Sequence, residues 1–140
     1  MTKEGDNGQG QPRVLLAKTS LDGHWRGVTA VAKALQDAGI EVVMLGMARP
    51  EEIVSAAVDE DVDVVGLNVG GHVAIVKRIL EQLRAGSVDI PVMAGGTLPP
   101  AACRSLEADG VAVFPPGSAL ADIVDAARRL TREKRGIDGD

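Results

Sequence analysis

The residues best placed to do chemistry lie in one stretch, Ala17-Lys18-Thr19-Ser20-Leu21-Asp22-Gly23-His24-Trp25-Arg26-Gly27, between the apolar run Val14-Leu15-Leu16 and a helical pattern that starts at Val28. Asp22 stands two residues before His24 with only Gly23 between them, so its carboxylate can turn back onto Nδ1 of the imidazole and leave Nε2 pointing outward. An oriented, outward-facing nitrogen is what a metal ion requires of a histidine ligand. Lys18 can pair with Asp22 and keep it ionised, so that the charge of Asp22 tunes the basicity of His24. A histidine by itself is more often a hydrogen-bonded surface residue. The preceding aspartate, the flanking glycines and the position after a strand single this one out.

The elements that must hold this loop follow from hydrophobic periodicity. Arg13 to Lys18 reads as a short apolar strand. Val28, Val31, Ala32, Leu35 and Ala38 recur at helical spacing, and Gly39 follows as a C′ residue. Ile40 to Leu45 reads as the second strand, and Pro50-Glu51-Glu52 opens a second helix with Ile53, Val54, Ala57 and Val58 inward. Val62 to Asn68 is a third strand, apolar along nearly its whole length, and runs into Val69-Gly70-Gly71-His72. A third helix from Val73 to Ala85 turns Val76, Ile79, Leu80 and Leu83 inward, and Ile90 to Ala94 is a fourth strand leading into Gly95-Gly96-Thr97-Leu98-Pro99-Pro100. A fourth helix over Ala101 to Ala108 and a fifth strand over Val111 to Phe114 follow. Pro115-Pro116-Gly117-Ser118 then opens a last helix, with Ser118 as N-cap and Leu120, Ile123, Val124, Ala127 and Leu130 on one face.

Strands alternating with helices predict an α/β fold, a flavodoxin-like doubly wound five-stranded parallel sheet in the order 2-1-3-4-5. Ligands bind such sheets beyond the carboxyl ends of the strands, where the winding reverses, here between the first and third strands. Gly23, Gly27, Gly70, Gly71, Gly95, Gly96 and Gly117 gather at that rim, which favours a ligand lying close against backbone.

Composition narrows the class. A chain of 140 residues is expected to form one domain over 13–130, with a polar N-terminal tail over 1–12 and a charged C-terminal tail over 131–140. A net charge of −5 with scattered basic residues gives no electrostatic case for nucleic acid or an anionic membrane. No signal-peptide-like or membrane-spanning run is present, so a cytoplasmic location is expected. Cys103 is the sole cysteine, which excludes a disulfide framework and a multi-cysteine metal site. Trp25 and Phe114 are the only aromatics, leaving a Val, Ile, Leu and Ala core suited to a parallel sheet covered on both faces.

Asp22-Gly23-His24-Trp25-Arg26-Gly27 fits the Asp-x-His-x-x-Gly signature of cobalamin-binding domains that hold the cofactor base-off and histidine-on. Gly95-Gly96-Thr97-Leu98-Pro99-Pro100 and Phe114-Pro115-Pro116-Gly117-Ser118 resemble later motifs of the acyl-CoA mutase branch, typified by methylmalonyl-CoA mutase. The likeness runs from about Arg13 to Leu130, with all three motifs in order at matching strand ends. The resemblance implies that His24 is the lower axial ligand of cobalt, oriented by Asp22 with Lys18 behind it. It implies that Gly23, Trp25, Arg26 and Gly27 line the lower corrin face, with Val31 beside them. Asn68, Gly70 and Gly71 would meet the nucleotide tail, Gly95, Gly96 and Thr97 would let it pass along the backbone, and Phe114, Gly117 and Ser118 would form the far wall.

Two positions depart from the family pattern. Where relatives carry Ser-x-Leu after the third strand, this chain reads Asn68-Val69-Gly70-Gly71-His72 and is about two residues shorter; Asn68 can still hydrogen-bond a base. Trp25 stands where mutases of this branch mostly have aspartate. The function implied is that of the small, cobalamin-carrying subunit of an adenosylcobalamin-dependent acyl-CoA mutase, an isomerase active only with a separate barrel-type large subunit that binds the acyl-CoA. Homo-oligomerisation is compatible with this. The alternatives are a stand-alone corrinoid carrier or sensor and a flavodoxin-like relative that has lost the cofactor. A receiver domain is set aside, because the first, third and fifth strands end in Lys18, Asn68 and Phe114 and lack the acidic and lysine residues a receiver places there. His72 reads as a helix-start residue, Cys103 as packing, and Met44 and Met47 as strand-end filling.

Overall fold

The computed structural model describes residues 10–19, 25–70 and 73–136, with only the backbone at Trp25 and Arg26. Its elements are β1 (Arg13–Lys18), α1 (Trp25–Asp37), β2 (Glu41–Met47), α2 (Pro50–Asp59), β3 (Val64–Val69), α3 (Val73–Ala85), β4 (Val92–Gly96), α4 (Pro100–Ala108), β5 (Ala112–Phe114) and α5 (Leu120–Arg135). All strand pairs are parallel and the sheet order is β2-β1-β3-β4-β5, the order expected from the pattern. The winding reverses between β1 and β3.

Strand alternation divides the core in two. Leu15, Ala17, Val65, Leu67, Val92 and Ala94 face Ile53 and Ala57 of α2, Val76, Ile79 and Leu83 of α3, and Leu106 of α4. Val14, Leu16, Val64 and Met93 face Val28, Ala32 and Leu35 of α1 and Val124, Ala127 and Leu130 of α5. Each fully buried aliphatic side chain contributes about 1.5–3 kcal/mol through loss of apolar surface to water. Where α3 meets the end of α4, Lys77 Nζ donates to Asp109 at 2.7 Å. That hydrogen bond holds the Asp109 carboxyl below the usual carboxylate range, so its contribution is present above that range and is lost as pH falls through the depressed value.

At the amino-terminal edge of the sheet, the buried Asp63 joins three parts of the chain. Its Oδ2 accepts from the Arg13 amide at 2.9 Å and from Arg135 Nη2 at 2.9 Å, and its Oδ1 accepts from Arg135 Nε at 3.0 Å. Arg135 also donates to the carbonyls of Gly10 and Gln11 at 2.9 and 3.2 Å. Residues 131–135 therefore belong to α5, and the expected tail boundary at 131 moves outward: Thr131 is buried and donates to the Ala127 carbonyl.

Four other expectations are corrected. Ser118 does not cap α5; its hydroxyl donates to the Pro115 carbonyl at 2.7 Å, and the N-cap is Ala119. Met44 and Met47 are 44% and 47% exposed, on the edge strand β2, which no described strand flanks on its outer side. Gly46, with φ +85, carries a bulge there that pairs Leu16 with Met44 but Ala17 with Gly46. Val58 is half exposed, since five helical residues after Ile53 carry it about 140° away from the inward face. Leu120, the first residue of α5, is 41% exposed.

Asp63→Asn is expected to lower the unfolding free energy by about 3 kcal/mol, since it strips charge from a nearly dry site and leaves Arg135 and Lys134 facing a neutral amide. A drop in Tm of roughly 10 °C by calorimetry is the matching readout.

Candidate functional site

Parallel register builds the site out of rows. Leu16, Gly66, Met93 and Ala112 lie side by side across β1, β3, β4 and β5, and Lys18, Asn68, Gly95 and Phe114 form the next row towards the carboxyl ends. Both rows face α1 and α5. Two of the eight positions, Gly66 and Gly95, carry no side chain, and they sit diagonally on the two central strands. The sheet surface is lowered at both, and both line the open upper half of this face.

The result is a cavity of about 1070 Å³ at the switch point. Leu16, Gly66, Leu67, Met93 and Ala94 make its floor. Gly27, Val28, Ala30 and Val31 of α1 stand on one side, with Leu120 and Ile123 of α5 opposite. Asn68, Val69 and Gly70 border it from β3, Gly95, Gly96 and Thr97 from β4, and Phe114 with the turn Pro115–Ser118 closes the far end. An apolar interior with a few polar groups at the rim suits an organic ligand with a flat apolar portion.

The rim is stiff for local reasons. The Thr19 amide and hydroxyl both donate to the Asn68 carbonyl, at 3.0 and 3.1 Å, which pins the exit of β1 to the end of β3. The Thr97 amide donates to the Val69 carbonyl at 3.1 Å and ties the exit of β4 to the same strand. Gly96 has φ +116, and a Cβ there would be driven into the Val69 carbonyl oxygen and within 3.1 Å of its nitrogen. Gly117, with φ +92, faces open space among the described residues. Lys18 is 4% exposed at the end of β1, beneath the rim.

Ten of the residues nominated to touch the cofactor are described and line this one cavity: Gly27, Val31, Asn68, Gly70, Gly95, Gly96, Thr97, Phe114, Gly117 and Ser118; Lys18, nominated behind Asp22, is buried and is not part of the lining. Asp22, Gly23, His24 and Gly71 lie outside the described residues, and so do the side chains of Trp25 and Arg26. Among the described residues no group of three or more metal-binding side chains occurs. Nomination from the sequence missed Gly66, Met93, Ala30, Leu120 and Ile123. The signal for Gly66 was present, because a glycine inside a buried, β-branched strand marks a close approach; here a Cβ would come within 2.7 Å of the Leu16 side chain.

A doubly wound sheet with a deep apolar cleft at its switch point defines a flavodoxin-like ligand-binding domain. The chain belongs to the B12 binding domain family, which matches residues 12–133. It is 48% identical to the 2-hydroxyisobutanoyl-CoA mutase small subunit of Aquincola tertiaricarbonis over 91 residues, 62% of this chain and 67% of that one. It is 39% identical to the pivalyl-CoA mutase small subunit of Xanthobacter autotrophicus, covering 88% of this chain and 86% of that one. Methylmalonyl-CoA mutase of Escherichia coli is 41% identical over 85% of this chain, which spans 17% of the length of that enzyme. Among solved structures, a cobalamin-binding protein from Desulfitobacterium hafniense aligns with a TM-score of 0.72 at 23% identity, covering 86% of this chain and 59% of that one. A Francisella receiver domain aligns at 0.69 with 13% identity, covering 88% and 98%. At these identities both express the shared fold. No helix among the described residues is long and apolar enough to cross a membrane.

Gly96→Ala is expected to destabilise the domain by more than about 3 kcal/mol, because strained φ and a backbone clash act together. Gly117→Ala should cost only about 1–2 kcal/mol, the backbone conformation being its sole penalty. Urea unfolding of the two variants separates the cases.

Proposed function

We propose that this chain is the cytoplasmic, cobalamin-binding small subunit of an adenosylcobalamin-dependent acyl-CoA mutase, working with a separate barrel-type large subunit that binds the acyl-CoA. The observation that carries the reading is the cleft itself: an apolar slot of about 1070 Å³ at the switch point, bordered by the residues nominated from the family motifs. Two small-subunit relatives of mutases support the division of labour, with the described residues here offering the cofactor slot.

The residues fit such a cofactor on grounds of their own. Gly27 lies in the first turn of α1, where glycine costs about 1 kcal/mol against alanine, and no described atom lies within 4 Å of where its Cβ would be. No described residue requires it by packing, which supports its role as room for a ligand. The cleft floor is apolar and without charge, suited to the base of a nucleotide tail, while Asn68, Thr97 and Ser118 supply polar groups at its edge. In this reading His24 would ligate cobalt, Asp22 would fix its tautomer, and Lys18 would keep Asp22 ionised. Gly23, Trp25, Arg26 and Gly27 meet the lower corrin face, and Gly70, Gly71, Gly95 and Gly96 allow the tail to run along the backbone. When bound, adenosylcobalamin supplies the radical chemistry by homolysis of its cobalt–carbon bond. The chain's share is to bind, to orient, and to set the donor strength of the imidazole.

Titration of the purified chain with hydroxocobalamin is expected to give a base-off, histidine-on absorption spectrum that His24→Ala abolishes; an unchanged spectrum on titrating the native chain rejects the reading. Gly27→Leu should leave Tm unchanged or raised, because leucine is the better helix former, while weakening corrinoid binding at least tenfold by obstructing the mouth of the cleft.

A further inference from the structure

In the row of Lys18, Asn68, Gly95 and Phe114, Asn68 is the one polar side chain that lines the cleft. Its backbone carbonyl is fully engaged, accepting from both the amide and the hydroxyl of Thr19. Its side-chain amide makes no hydrogen bond among the described residues, although the residue is half-buried and lines the cavity. On the β4 side its row neighbour is Gly95, which has no side chain to meet it. The strand thus holds a rigidly based, unengaged donor and acceptor pair against an apolar slot.

We propose that Asn68 sets selectivity for the base carried on the nucleotide tail, favouring a base that presents a ring nitrogen next to an amino group, an aminopurine, over a benzimidazole. The inference rests on the reading that the tail enters this cleft. A carboxamide has both a donor and an acceptor, whereas a hydroxyl offers a single point of contact. A benzimidazole has a ring nitrogen that can accept from the Asn68 NH₂ but no N–H for its oxygen, which is then left unpaired in a confined site. An aminopurine satisfies both at once, and rotation of the amide by half a turn serves either order of the two groups. Sites built around such pairs discriminate through the group left unsatisfied.

The test is a spectrophotometric binding titration of the native chain, Asn68→Ala and Asn68→Ser with three hydroxo-corrinoids: one bearing dimethylbenzimidazole, one bearing adenine, and cobinamide, which lacks the tail. The ratio of the two Kd values in the native chain is expected to lie about tenfold further towards the adenine form than in Asn68→Ala, with Asn68→Ser on the side of the alanine variant. Equal ratios in the native chain and in a folded Asn68→Ala or Asn68→Ser variant overturn the role of Asn68 and leave the cleft assignment standing. If cobinamide binds as tightly as the complete corrinoids, or none of the three binds, the cleft assignment itself fails and the inference falls with it.

Discussion

A central parallel strand must be covered on both sides, and β3 is covered completely on only one. On the side of α2, α3 and α4 its residues Val65, Leu67 and Val69 are buried in an unbroken cluster. On the side of α1 and α5 the cover is complete at Val64 and stops at Gly66, where no side chain reaches up to meet the helices. Everything at the site follows from that discontinuity. The lower half of this face is a packed core, the upper half is a slot, and the boundary between them is the row of Leu16, Gly66 and Met93.

Such an arrangement is stable only if the closed end carries the folding energy. It does so in two ways: through Val14, Leu35, Val64, Ala127 and Leu130 packed beneath the slot, and through Asp63, which binds the start of β1 and the end of α5 at the opposite edge of the sheet. The open end is held by hydrogen bonds to the backbone of β3, from the Thr19 amide and hydroxyl and the Thr97 amide, and by a conformation at Gly96 that admits no side chain. Side chains at the rim are thereby free to differ without loss of the fold.

Strand order, helix faces and the location of the cleft were legible in the sequence, because apolar spacing and glycine placement are local signals that survive folding. Val76, Ile79 and Leu83 recur at helical intervals and are buried together. The misread positions share one cause: their environment is set by what lies beside them in space. Met44 is apolar in an apolar strand, and only the sheet order reveals that its strand lies at an edge. Ser118 has the right type and position for a cap, yet its hydroxyl closes a turn on Pro115. Gly66 looks like a weak point in a strand until register sets it beside Leu16 and Met93, diagonal to Gly95.

The pair of hydrogen bonds from Thr19 to the Asn68 carbonyl has a consequence for how the proposed cofactor is held. Thr19 precedes the histidine segment and Trp25 follows it as the first residue of α1, so five residues link a point fixed on β3 to a helix that walls the slot. In the proposed reading one molecule is gripped at two places, its metal by the imidazole in that short span and its tail by the sheet. Such a grip behaves as a chelate: capture at either place raises the local concentration of the other partner into the range of about millimolar or above. Release then requires both attachments to open together, which makes a slow off-rate a property of the strand pairing more than of either contact alone.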